Sequence, residues 1–141
     1  MRRLEEINDY SDIYEPVSEN EIGSVEEVLQ FSFPEDYKQF IRNPDIEAIK
    51  RLPSLLWFVH HDSMGILETN DWLRTRSFEP FPERLITFAT NECGDYFCFD
   101  QDTKRIVYVD PDQTVEENLK SLELVYDSFR EWMESHLKRK P

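Results

Sequence analysis

Residues 85–110, LITFATNECGDYFCFDQDTKRIVYVD, decide the fold of this chain. Three short runs rich in β-branched and aromatic residues lie in it: Leu85 to Ala89, Tyr96 to Asp100, and Ile106 to Asp110. Such runs bounded by turn residues read as strands. Asn91-Glu92-Cys93-Gly94-Asp95 is a turn cluster, and Gln101-Asp102-Thr103-Lys104-Arg105 has the length of a hairpin link. Strand alternation puts Phe97 and Phe99 on one face, and Tyr96, Cys98 and Asp100 on the other.

Toward the N-terminus the pattern is helical. Leu4, Ile7, Tyr10, Ile13 and Tyr14 permit a short amphipathic helix that Pro16 ends. Ser18-Glu19-Asn20-Glu21 is a capping box, followed by Ile22, Val25, Val28 and Leu29 at helical spacing, so a helix is expected from about residue 19 to 30. Pro34 suits the first turn of a second helix, with Glu35 and Asp36 at its positive end and Tyr37, Phe40 and Ile41 as its apolar stripe. Asn43-Pro44-Asp45 signals a turn, and Ile46 to Leu52 fits a helical turn or two. Leu55 to His60 reads as a buried strand, whereas Ile66 to Arg76 fits a strand, a helix or both in sequence. Beyond the hairpins, Val115, Leu119, Leu122, Tyr126, Phe129 and Met133 are spaced 4, 3, 4, 3, 4, which predicts one long helix from about 114 to 137. Thr114 caps it, and His136, Lys138, Arg139 and Lys140 complement its negative end. Helices, then strands, then a helix imply a single α+β domain over residues 1–141, with a mostly antiparallel sheet. The expected core is Val25, Leu29, Tyr37, Phe40, Phe88, Phe97, Phe99, Val107, Leu122, Phe129 and Trp132, with Trp57 beside them.

A chain of 141 residues is long enough for one core. Its net charge of −14 disfavours nucleic acid and anionic membranes, which need clustered cations. It favours a basic protein partner, or simply high solubility. Three glycines, all isolated, exclude a Gly-rich phosphate loop. No apolar run approaches the roughly 20 residues that span a bilayer, and Met1 to Glu6 lacks a signal peptide's apolar core, so a cytoplasmic protein is expected. Cys93 and Cys98 are then expected as free thiols, although their spacing leaves a disulfide open.

The chemistry-bearing residues form no catalytic motif. Adjacent His60 and His61 on a strand point to opposite faces and chelate one ion poorly, so no metal, no cofactor and no enzyme are expected. Cys93 beside a histidine lacks any nucleophile signature. Two features are candidates for partner binding. Glu92, Asp95, Asp100, Asp102, Asp110 and Asp112 cluster around the hairpins against only Lys104 and Arg105. They read either as solvated strand ends, with Asp95 fixing the turn after Gly94, or as an acidic rim that meets a basic partner. Trp72, between Asp71 and Leu73, reads either as core or as an exposed aromatic anchor.

Three blocks resemble the SUKH superfamily, the Smi/Knr-type domain. Phe33-Pro34-Glu35-Asp36-Tyr37-Lys38-Gln39-Phe40-Ile41 is similar to its Leu-Pro-x-Asp-Tyr-Lys-x-Phe-Leu signature, with Phe33 in place of Leu. Phe88-Ala89 through Gly94-Asp95 to Phe99-Asp100 is similar to its hairpin, and Ser128-Phe129-Arg130-Glu131-Trp132-Met133 to its closing helix. These blocks occupy about residues 18–42, 85–112 and 114–137. Arg42-Asn43-Pro44-Asp45 departs from the Gly-containing loop common in the family, and 44–84 carries no clear family signal. The resemblance implies one curved, largely antiparallel sheet packed by helices, and no family chemistry. It implies protein binding: bacterial members are typically immunity proteins that neutralise toxins, often nucleases, and eukaryotic members act as regulatory interaction proteins. The expectation is therefore an immunity protein whose partner is a basic toxin domain, with a non-toxin regulatory or scaffold domain as the alternative.

Overall fold

The structure, a computed structural model, describes residues 13–58, 65–75, 80–91, 94–110, 117 and 125–138. Ser18 starts α1 (Glu19–Leu29) with the expected capping box: its hydroxyl accepts from the Glu21 N–H and the Glu21 carboxylate accepts from the Ser18 N–H, both at 3.1 Å. Ile22, Val25 and Leu29 are buried, but Val28 is 67% exposed. At about 100° per residue, Val28 lies roughly a quarter turn off the mean direction of the other three. Glu26 then reaches across the following turn and accepts from the Phe33 N–H at 2.8 Å. This sets the entry to α2 (Glu35–Arg42), whose cap is Pro34 itself. The unusual Asn43-Pro44-Asp45 segment serves as a helix start: Asp45 accepts from the Ala48 N–H and opens the short α3 (Ile46–Ile49).

The remaining elements are β1 (Ser54–Leu55), α4 (Ile66–Thr75), β2 (Leu85–Thr90), β3 (Tyr96–Asp100), β4 (Arg105–Val109), β5 (Val125–Tyr126) and α5 (Phe129–Leu137). The five strands form one sheet in chain order, and each neighbouring pair is antiparallel. This is the expected α+β architecture. The strand parity also holds. Phe97 and Phe99 face a core shared with Val25 of α1, Tyr37 of α2 and Trp132 of α5, whereas Cys98 and Val107 face Leu73 of α4 and Phe81. Phe40 is half-buried rather than buried, resting on the Phe129 ring at 5.5 Å.

Two expectations need correction, and one open reading is decided. Of the described part of the strand expected over 55–60, residues 55–58, only Leu55 lies in β1; the Trp57 indole N–H donates to the Glu15 carbonyl and the Ile66 N–H to the Trp57 carbonyl. The ambiguous segment after it is helical over Ile66–Thr75. The single helix expected over 114–137 is interrupted: Val125 and Tyr126 pair with Val107 and Ile106 as β5, and α5 begins only after Ser128. A β-branched and an aromatic residue beside the open edge of β4 favour the strand. Ser128 with Glu131 repeats the Ser-x-x-Glu pattern of α1, and the Ser128 hydroxyl accepts from the Glu131 N–H at 3.1 Å. Val115, Leu119 and Leu122 lie outside the described residues, as do Leu4, Ile7 and Tyr10.

One buried side chain locks α4 to the sheet. Register shifts between Thr87 and Ala89, leaving Phe88 as the extra residue of a bulge in β2. β1 is too short to pair with β2 at Thr87. Asn70 of α4, 1% exposed, supplies the missing bonds: its Oδ1 accepts from the Thr87 N–H at 2.9 Å, and its Nδ2 donates to the Thr87 carbonyl at 3.0 Å. A side-chain amide thus replaces a neighbouring strand. Asn70→Ala orphans both buried backbone groups and should cost about 3 kcal/mol in urea denaturation. Hydrogen exchange should speed up locally at the Thr87 amide.

Candidate partner-binding surface

The β3–β4 turn is organised by Asp100, one of the acids expected at the surface. Asp100 is 2% exposed. Both carboxylate oxygens bind Arg84, from Nε at 3.0 Å and Nη2 at 2.7 Å, and Oδ1 also accepts from the Asp102 N–H at 3.0 Å. Burial alone would raise its pKa, but the hydrogen bonds from Arg84, Asp102 and Thr103, with the charge of Arg84, hold it below the ordinary carboxylate value. Asp100 is therefore a structural anchor, withdrawn from any docking surface. The reason lies in register: Leu85 pairs with Asp100, which brings Arg84 to the end of β3.

The other candidates separate. Asp102 remains outside, its side chain 63% exposed, with Arg84 Nε at 3.4 Å. Asp95 is half-buried; its carboxylate accepts from the Tyr108 hydroxyl while its N–H donates to Asn91 Oδ1 at 2.9 Å. Asn91 Nδ2 also donates to the Tyr108 oxygen at 3.1 Å, so Asp95 fixes the turn as expected. Burial, then the bond to Asp95, pushes the Tyr108 phenol up to about 12. Asp110 is half-buried. Glu92 and Asp112 lie outside the described residues, as do His60, His61, Asp62 and Cys93. Trp72 stands on the outer side of α4, 39% exposed, with Glu68 and Asp71 exposed beside it in sequence. Trp57 and Trp132 are core, as expected.

Two depressions mark the described surface. Between α1 and α2 a polar groove of about 220 Å³ is crossed by ion pairs, Arg42 to Glu19 at 2.6 Å and to Glu35 at 3.2 Å, and Lys38 to Glu26 at 3.7 Å. Each of its charged side chains has an ion-pair partner within the groove, with Arg42 shared by two carboxylates. The second is a cleft of about 280 Å³ between the α1–α2 turn, the β3–β4 turn and the junction of β5 with α5. Phe33, Phe99, Ile106 and Phe129 line it, and exposed Ser32 and Lys104 stand at its mouth. Sequence reading missed this cleft because its walls come from three segments far apart in the chain.

Cys98 is a free thiol with no exposure, and burial pushes its pKa well above the ordinary thiol value, so it offers no nucleophile. Among the described residues no group of three His, Cys, Asp or Glu is placed to hold a metal ion. No helix among them is long and apolar enough to cross a membrane.

The Arg84–Asp100 pair has a measurable signature. Arg84→Ala leaves a buried carboxylate without its cation and should cost about 2–3 kcal/mol in urea denaturation at neutral pH. A carboxyl held below its unfolded value of about 3.9 contributes stability above that pH, and the contribution is lost as pH falls through the lower folded value. In Asp100→Asn that part of the acid limb should vanish, so its stability should fall less than wild type's between neutral pH and pH ~3.

Comparison with known proteins assigns the chain. No curated protein and no solved structure matches it. Residues 16–135, spanning the first two blocks, the segment between them and all but the last two residues of the third, match the family model described as the SMI1 / KNR4 family (SUKH-1). In space the blocks meet: Tyr37 of the first touches Phe88 and Phe99 of the second and Phe129 of the third. The chain belongs to the SMI1 / KNR4 (SUKH-1) family.

Proposed function

We propose that this chain is a single-domain, cytoplasmic protein-binding module without catalytic activity, and that it acts as an immunity protein that neutralises a cognate toxin. Membership of the SUKH-1 family is the observation that carries the reading, since bacterial proteins of that superfamily are typically immunity proteins. The net charge of −14 fits a basic toxin domain, such as a nuclease whose active site must be cationic to hold phosphate. The docking residues are Trp72, Glu92, Asp95, Asp102, Asp110 and Asp112. Trp72 and Asp102 are exposed. Trp72 supplies an aromatic anchor, and the acids steer the encounter.

The gene beside this one tests the reading. A neighbour encoding a toxin domain should arrest growth when expressed alone, and co-expression of this chain should restore growth and yield a complex. Failure of rescue with every neighbouring candidate leaves the regulatory or scaffold alternative. Once a partner is in hand, Asp102→Asn with Asp112→Asn should slow association and flatten its salt dependence in stopped-flow measurements, because steering is screened over about 10 Å at 0.1 M salt. Thermal stability should hold, since solvated surface substitutions usually stay within about 0.5 kcal/mol. A wild-type association rate at low salt rules these acids out as the docking surface.

A further inference from the structure

We infer that the outer face of α4 holds a cationic side chain of a partner polypeptide, arginine or lysine, laid over the Trp72 indole within the field of Glu68 and Asp71. The inference names what the aromatic anchor meets. It rests on the protein-binding reading, though not on the partner being a toxin. The helix carries two opposed stripes. Ile66, Thr69, Asn70 and Leu73 are buried, whereas Glu68, Asp71, Trp72 and Thr75 are exposed. Both sets have the spacing 3, 1, 3, and the second is offset from the first by two positions. Two positions are about 200° of helical rotation, so the exposed stripe lies opposite the buried one. Trp72 and Val28 are the large apolar side chains that the described residues leave exposed, and of the two only Trp72 is aromatic.

Charge selects the occupant. The exposed stripe contains two acids and no cation. Arg74, three residues after Asp71, is near enough to feel its charge, but the guanidinium is turned to backbone oxygens: Nη1 donates to the Leu29 carbonyl at 3.4 Å and Nη2 to the Glu83 carbonyl at 3.1 Å. The Thr75 hydroxyl donates to the Asp71 carbonyl at 2.7 Å, a bond that leaves the carboxylate untouched. The face of an indole attracts a cation within about 6 Å of the ring centre. Glu68 stands one helical turn before Trp72, at a Cβ separation of about 5–6 Å, so a cation on the ring is also close to a carboxylate. An anionic side chain would be repelled here. A neutral apolar one would gain the ring but would strip water from two acids without replacing it. A second copy of this chain would bring its own net charge of −14 to the contact. A guanidinium, planar and weakly hydrated, suits the ring and the acids together.

The test uses the full chain, ¹⁵N-labelled, and two short peptides. Acetyl-Ala-Arg-Ala-amide should shift the Trp72 indole N–H and the backbone amides of Asp71 and Thr75. The indole signals of Trp57 and Trp132, which are buried, should stay in place. The same peptide with citrulline for arginine has the shape without the charge, and should bind at least about fivefold more weakly, the combined range of a cation–π contact and an exposed ion pair. Trp72→Phe keeps a ring and should retain part of the preference for arginine, whereas Trp72→Ala should abolish it. Glu68→Gln with Asp71→Asn should weaken the arginine peptide about two- to fivefold. An unchanged thermal midpoint in each variant shows that the fold is intact. No indole shift up to tens of millimolar arginine peptide, or equal affinity for arginine and citrulline, overturns the inference. Indole shifts that depend on protein concentration alone overturn it in favour of a second copy of this chain. The toxin reading stands or falls separately, on rescue by co-expression.

Discussion

The ring of Phe88 is the constraint around which this domain is arranged. It is fully buried, lies over Phe99 with centroids 4.2 Å apart and planes only 16° from parallel, and meets the edge of Trp132 at 4.9 Å and of Tyr37 at 6.0 Å. Phe88 is also the unpaired residue of the β2 bulge, and its carbonyl accepts from the Leu56 N–H. The same residue therefore bends the sheet, ties in the short first strand and fills the space beneath α2 and α5. Aromatic pairs contribute about 0.5–1.5 kcal/mol each beyond burial of their area. That packing tolerates a polar cost: the Tyr37 hydroxyl and the Trp132 indole N–H find no partner among the described residues. An unsatisfied buried donor costs about 1–3 kcal/mol, so the shape of these rings outweighs their polar atoms at this position.

Around that centre, family-signature residues do structural work. Asp36 of the Pro-Glu-Asp-Tyr block accepts from the Arg130 N–H and so satisfies the start of α5, a helix that begins 93 positions later. At the other end Arg51 donates to the Leu137 carbonyl. An anion at the N-terminus and a cation at the C-terminus both complement the helix dipole. Asp100 of the hairpin block is likewise internal. A signature made of caps, rings and a buried ion pair specifies a scaffold. Recognition of one partner rather than another must then reside in what the scaffold exposes: the outer side of α4, the strand turns and the mouth of the cleft.

Legibility in the sequence followed the range of the interaction. The capping box of Ser18 and the alternation of Phe97 and Phe99 were readable because their partners lie within a few residues. The exposure of Val28 follows from helical geometry once Ile22, Val25 and Leu29 fix the buried direction. The break at Val125 was hidden because Tyr126, Phe129 and Met133 keep helical spacing across it, and both β5 and α5 bury their apolar residues; the Ser128 cap was the available signal. Asp100 could not be distinguished from Asp102 without Arg84, which strand pairing brings across 16 positions. Asn70 gave no hint that it would stand in for a strand, because the gap it fills exists only once β1 stops short.

The same ion pairs shape recognition at two distances. Arg42, Lys38, Lys50, Arg84 and Arg105 are each directed at acids of this chain, to Glu19, Glu26, Glu47, Asp100 and Asp127. With these cations matched inside the molecule, the excess acids, Asp102 among the exposed ones, dominate the field felt beyond a Debye length only weakly but within it strongly. On the proposed reading, that field sets the rate at which a basic partner arrives. It fixes little about the final pose, since exposed charges hold one another loosely. Pose requires shape, which the described residues offer at exposed Trp72 on α4 and in the cleft walled by Phe33, Phe99, Ile106 and Phe129.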